Sequence, residues 1–321
     1  MISLQIQEIN NNTFSNLFGD IYVKFSDKNL SNTYEAPKEL EEYIKYVCRF
    51  FNIEDVKITE KQINEKYNFE ENKKVLVAYS GGKDSLANAI NLSNQGYTPI
   101  MTYIKGLNRS YPNEYKAVKE VADKLNFELV VIEIKVSGKC DYIENPIKNA
   151  FILSMLVDYG KTRNINKYSF GNLLEDEAEK MPTEAGLSDG LEFFNILEKF
   201  YSNYIENFKI ITTLKNQTYS YKTIIDKDID LLNYTQSCMM PYRYIKQFHD
   251  KNEKKYNFKF KTNSCGCSCY KCCRELYVLD KLGKIKLTKE LEEQCFKMFK
   301  LFDKRNNMHT IWFDEDVLNK E

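Results

Sequence analysis

The chain is 321 residues long, 43% hydrophobic and 14% aromatic, which is enough apolar material for one large domain or two smaller ones. Its 46 basic and 46 acidic residues cancel, which argues against a protein whose main task is gripping nucleic acid through a basic face. The opening MISLQIQEIN lacks the basic and apolar regions of a signal peptide, and no apolar run reaches the roughly 18 residues of a membrane span, so a cytoplasmic protein without a membrane partner is expected.

Residues 1–72 read as a small α+β extension. Ile2, Leu4 and Ile6 alternate, and so do Ile21, Val23 and Phe25, so both segments are expected to be half-buried strands. Pro37 opens a helix with Leu40, Ile44, Val47 and Phe51 on one face. Residues 73–235 change to a repeating strand–helix pattern. VLVAY is a continuous apolar run suited to a strand buried on both faces. A helix with Leu86, Ala89 and Ile90 follows, then the strand TPIMTYI and a helix begun by Pro112. ELVVIEI is a third strand, Pro146 starts a strongly apolar helix through Leu156, and KYSFG is a fourth strand. LEFFNILEKFYSNYI is a further helix and FKIITTL a further strand. This alternation predicts an α/β fold, a parallel sheet with helices on both faces. Residues 236–321 read as helical, interrupted by cysteines.

The hexapeptide Ser80-Gly81-Gly82-Lys83-Asp84-Ser85 stands where the first strand of that pattern meets its helix. In an open parallel sheet, ligands bind beyond the carboxyl ends of the strands. Two glycines let backbone N–H groups approach an anion, and the helix N-terminus adds partial positive charge. Ser80 and Ser85 offer hydroxyls, Lys83 a mobile cation, and Asp84 a carboxylate for a magnesium ion on the phosphates. The spacing is not that of a Walker A loop. It resembles the pyrophosphate loop of the ATP pyrophosphatases, which implies that ATP is cut between its α and β phosphates and AMP is passed to a substrate oxygen.

Nine cysteines are present, and Cys265, Cys267, Cys269, Cys272 and Cys273 crowd into nine residues. In a reducing compartment such a cluster points to a metal rather than to disulfides. Cys269 and Cys272 form a C-x-x-C pair.

Four further segments resemble, in order, the 7-cyano-7-deazaguanine synthases, the QueC family. YIENPIKNAFILSML places Pro146, Lys148 and Asn149, and FGNLLED places Gly171, Asn172, Glu175 and Asp176. LSDGLEFF places Asp189, Glu192 and Phe193, and TQSCM places Thr235, Ser237 and Cys238. The resemblance spans residues 74–285 and implies an adenine nucleotide alpha hydrolase (HUP-like) fold. It implies a four-thiolate zinc site from Cys238, Cys269, Cys272 and one of Cys265 or Cys267, with Cys265 favoured by the glycine after it and Cys273 spare. It implies ATP, Mg2+ and Zn2+ as cofactors and a deazapurine carboxylate, 7-carboxy-7-deazaguanine, as substrate. Adenylation of that carboxylate and attack by a nitrogen nucleophile would give an amide or nitrile. Lys83, Asp84 and Asp176 are the candidate catalytic residues, residues 80–85 hold ATP, and Lys148, Asn149, Asp176 and Asp189 face the substrate. Asp176 and Asp189 are open between the base, the magnesium and ordinary solvated loop positions; Lys148 is open between neutralising a substrate carboxylate or a phosphate and being a surface lysine at a helix start. A homodimer is implied by the resemblance alone.

Three departures stand out. Lys83 replaces a residue that is apolar in the family. IKGLNRSYPNE, with Gly106, Asn108, Arg109 and Glu114, replaces a Tyr-Gly-Gln-x-His segment. Residues 1–72 have no counterpart in ordinary synthases, which suggests a divergent member of the type found in anti-phage defence, with a protein amine in place of ammonia and a partner docked on the extension. The rival reading is an ATP-dependent tRNA sulfurtransferase of the same superfamily, supported by the same loop and the C-x-x-C pair.

Overall fold

The computed structural model describes residues 3–6, 13–26, 32–50, 53–107, 114–137, 147–172 and 191–306. In chain order these form β1 (Ser3–Ile6), α1 (Thr13–Ser26), β2 (Thr33–Ala36), α2 (Glu41–Phe50) and β3 (Lys57–Glu60). The strand–helix region runs β4 (Lys74–Ala78), α3 (Lys83–Asn94), β5 (Thr98–Lys105), α4 (Glu114–Leu125), β6 (Glu128–Ser137), α5 (Lys148–Arg163) and β7 (Lys167–Phe170). It continues through α6 (Leu191–Ser202), β8 (Lys209–Ile211) and α7 (Gln217–Asp228), and the chain then turns helical through α8 (Tyr242–Tyr256), α9 (Tyr270–Lys281) and α10 (Lys289–Asn306).

The main sheet has the order β1-β6-β5-β4-β7-β8. Its inner pairs, from β6 to β8, are all parallel. Such pairs need crossovers, and the helices supply them on both faces. Alternation along β4 divides the core: Leu76 faces a cluster with α1, α2, α5 and α6, while Val75 and Val77 face one with α3, α4 and α7. No helix among the described residues is long and apolar enough to cross a membrane.

The extension departs from the expected strands in one place. β1 is a strand, antiparallel to β6 with Leu4 opposite Val136. The segment around Ile21, Val23 and Phe25 is not a strand but the second half of α1. Phe14, Leu17, Phe18, Ile21 and Tyr22 are buried and recur at helical spacing, so a longer period outweighs the three-residue alternation. Phe14 and Phe18 pack edge-on against Phe200 of α6. The carboxylate of Asp158, fully buried on α5, accepts the Phe14 N–H at 3.3 Å and both the N–H and the hydroxyl of Ser15 at 2.7 Å. It thereby caps the N-terminus of α1 from another element. Lys161 balances its charge at 2.9 Å. The described part of residues 1–72 therefore shares one core with the sheet instead of closing its own.

Candidate active site and four-cysteine centre

The 80–85 loop leaves β4 at the carboxyl edge of the sheet. The Tyr79 N–H still donates to the Thr102 carbonyl at 2.9 Å, so strand pairing runs up to the loop. Gly81 has φ +74°, which a side chain disfavours, and a Cβ there would press on Val118 at 3.3 Å. Gly82 is the N-cap of α3, and its carbonyl accepts the Leu86 N–H at 3.1 Å and the Ser85 hydroxyl at 3.0 Å. Ser80 Oγ and Ser85 Oγ lie 3.3 Å apart, closing the loop on itself. Gly171 sits after β7, where an added Cβ would strike the backbone of Ser85.

Lys83 is not the mobile cation expected of it. It is 2% exposed, donates to Asp84 Oδ1 and Oδ2 at 2.6 and 2.7 Å and to Gln217 Oε1, and lies 5.0 Å from the Tyr221 ring centre. Burial pushes its ammonium down to about 8, with Asp84 pulling the other way. Burial also raises the Asp84 carboxyl, but Lys83, Arg274 and Lys271 more than reverse this, so it lies below the ordinary carboxylate range. Lys83 and Asp84 thus form one neutral pair.

A cavity of about 410 Å³ opens beside the loop. Ser80, Gly82, Lys83, Asp84 and Ser85 line it, with Lys148 and Asn149 from the start of α5 and Gly171 and Asn172 after β7. Gly81 lines an adjoining groove with Glu114 and Gln236. Asp176 and Asp189 lie outside the described residues. The C-terminal region brings four lining residues that sequence reasoning assigned no cavity role: Gln236, Ser237, Lys271 and Arg274. Ser237 carried a signal in the TQSCM match, and the other three only adjacency: Gln236 precedes it, Lys271 lies inside the C-x-x-C pair and Arg274 follows two residues later. Among the described lining residues, four cations (Lys83, Lys148, Lys271, Arg274) face two carboxylates (Asp84, Glu114). That balance suits a polyanion.

Cys238, Cys265, Cys269 and Cys272 converge, all four sulfurs within 4.8 Å of one another, and all are buried. Cys238 Sγ and Cys269 Sγ are 3.9 Å apart. Four thiolates at a Zn–S length of about 2.3 Å on a tetrahedron stand about 3.8 Å apart, so the donor set fits a single ion. Cys265 rather than Cys267 joins the set. Gly266 and Cys267 both take φ +55°, and this left-handed turn swings Cys267 into a separate apolar cluster with Phe260, Cys273, Leu291 and Cys295. There burial pushes its thiol up to about 12, away from the thiolate a metal needs. Asn252 braces the turn, its amide donating to the carbonyls of Cys265, at 2.9 Å, and Gly266.

No protein-family model matches the chain, and no curated protein matches it. Among solved structures it is similar to the U34-tRNA thiolase NcsA from Methanococcus maripaludis with its [4Fe-4S] cluster, at 14% identity and a TM-score of 0.26, over 61% of this chain and 78% of that one.

Proposed function

We propose that the chain is an ATP-dependent enzyme of the pyrophosphatase-loop type that adenylates a carboxylate and passes it to a nitrogen nucleophile, in the manner of the 7-cyano-7-deazaguanine synthases. The observation that carries this reading is the 80–85 loop at the carboxyl edge of a parallel sheet, opening on a cation-lined cavity. A carboxylate is a poor electrophile. Its oxygen attacks the α phosphorus of ATP, pyrophosphate leaves, and the acyl carbon becomes open to attack. An amine then adds, the acyl C–O bond breaks as AMP and a proton leave, and an amide remains; where the amine is ammonia, adenylation of the amide oxygen with release of pyrophosphate, then loss of AMP carrying that oxygen and of the N–H protons, would give the nitrile.

In this reading the loop holds pyrophosphate through Ser80, Gly81, Gly82 and Ser85. Asp84, about 30% exposed on its side chain, holds Mg2+. Lys148 and Asn149 face the substrate carboxylate, with Asp176 and Asp189 assigned to the deazapurine base or the magnesium. The four-cysteine ion is zinc in a closed, structural site, since four thiolates leave no position for a reacting water.

The test is mass spectrometry of the full chain with ATP, magnesium and 7-carboxy-7-deazaguanine, with ammonium or a protein amine as acceptor. The expected result is base-dependent AMP with an amide or nitrile, or a matching mass gain on the protein acceptor. ATP left uncut in the presence of the base overturns the deazapurine reading.

A further inference from the structure

Two chain segments bring the C-terminal region to the cavity, and the four-cysteine centre joins them. One is Thr235–Cys238. Its Gln236 N–H donates to the Gly81 carbonyl at 2.9 Å, Gln236 and Ser237 line the cavity, and Cys238 supplies a sulfur. The other is the first turn of α9. Cys269 is its N-cap and Cys272 follows; Lys271 lies between them and Arg274 just after, both lining the cavity. Arg274 is 5% exposed, with its guanidinium carbon 5.2 Å from the Tyr270 ring centre, and its charge acts on Asp84. The loop's own charges cancel, because Lys83 is paired with Asp84. The remaining described cations of the cavity are Lys148, Lys271 and Arg274, and two of these three stand beside metal ligands.

We propose that the four-cysteine centre is part of the nucleotide site: by tying Cys238 to Cys269 and Cys272 it sets Gln236, Lys271 and Arg274 as a second phosphate-binding wall that the 80–85 loop cannot supply. The inference rests on the ATP reading. The loop offers N–H dipoles, and α9 offers net charge together with a planar fork that matches phosphate oxygens two at a time. The ion fixes where that charge stands, and this role needs no open coordination position.

The test is calorimetric titration of the metal-loaded full chain with magnesium pyrophosphate and with Mg·ATP, alongside Lys271→Gln, Arg274→Lys and Arg274→Gln. Zinc content and melting temperature are recorded for each. Lys271 is exposed, so Lys271→Gln is expected to keep the wild-type melting temperature. Loss of one charge-assisted phosphate contact weakens binding by about 10- to 100-fold. Lys271→Gln and Arg274→Gln are expected to show this with one zinc retained per chain, and Arg274→Lys to fall between. By linkage, magnesium pyrophosphate should tighten zinc binding several-fold, read as the equilibrium zinc occupancy in competition with a chelator, in the wild type and not in Arg274→Gln. Wild-type affinity in both Lys271→Gln and Arg274→Gln overturns the inference while leaving the ATP reading standing. A wild-type chain that binds neither ligand overturns the ATP reading and the inference with it.

Discussion

Lys83 carries the charge that makes the loop look like a phosphate grip, yet it is buried on its neighbour Asp84. Its ammonium is pushed down to about 8 against an ordinary value of 10.5. Between those values the unfolded chain binds more protons than the folded one, so this residue's contribution to stability rises with pH across that window. The wild type should therefore gain stability over Lys83→Met between about pH 8 and about pH 10, read as the difference in urea midpoints at each pH. An unchanged difference would show that Asp84 fully offsets the effect of burial and leaves the ammonium at its ordinary value. The cysteines give a second residue-scale prediction. Cys265→Ser should lose the bound ion, whereas Cys267→Ser should retain one ion per chain, because only the former sulfur faces Cys238, Cys269 and Cys272. Metal analysis after desalting checks this, and equal loss in both variants would count against the assignment.

At the scale of elements, α1 shows what a short pattern conceals. Three alternating residues suggest a strand, but five buried residues at helical spacing decide the outcome. The cap of α1 comes from Asp158, 143 positions from Ser15, so no local signal could reveal it. Replacing Asp158 with Ala leaves buried N–H groups and the Lys161 charge without their partner, and should cost about 3 kcal/mol. Denaturant unfolding followed by circular dichroism tests this; a cost below about 1 kcal/mol would mean that α1 is held by packing alone. The helices after β8 behave differently. α9 takes its place from Val278, buried against the α3 and α7 layer, and from the two cysteines at its start.

For the molecule as a whole, the shared core bears on the extension. Phe14, Phe18, Tyr34, Tyr43 and Val47 are buried in the same cluster as Phe151, Phe193 and Tyr201. Deleting residues 1–72 should therefore expose that layer and yield an aggregated or molten chain, rather than a folded protein that has merely lost a docking site. Size-exclusion chromatography and thermal melting of the truncated protein check this, and a monodisperse, cooperatively melting product would show that the extension is a separate unit after all.

The sequence by itself determined the alternation of strand and helix, the parallel sheet, the loop at its carboxyl edge and the cysteine cluster of residues 265–273, whereas Cys238 came from the family resemblance. These are periodic or closely spaced features, and their physics is local: a strand buried on both faces must be apolar, and a tight loop near an anion must be glycine-rich. Tertiary structure alone decided the rest. It supplied the reason why Cys265, already favoured by the glycine after it, joins the set and Cys267 does not, in a two-residue left-handed turn. It turned Lys83 inward onto Asp84 and Gln217, which stands 134 positions away. It brought Lys271 and Arg274 to the cavity. Charge pairing and metal-ligand geometry depend on distances in space, and a linear pattern records only distances along the chain.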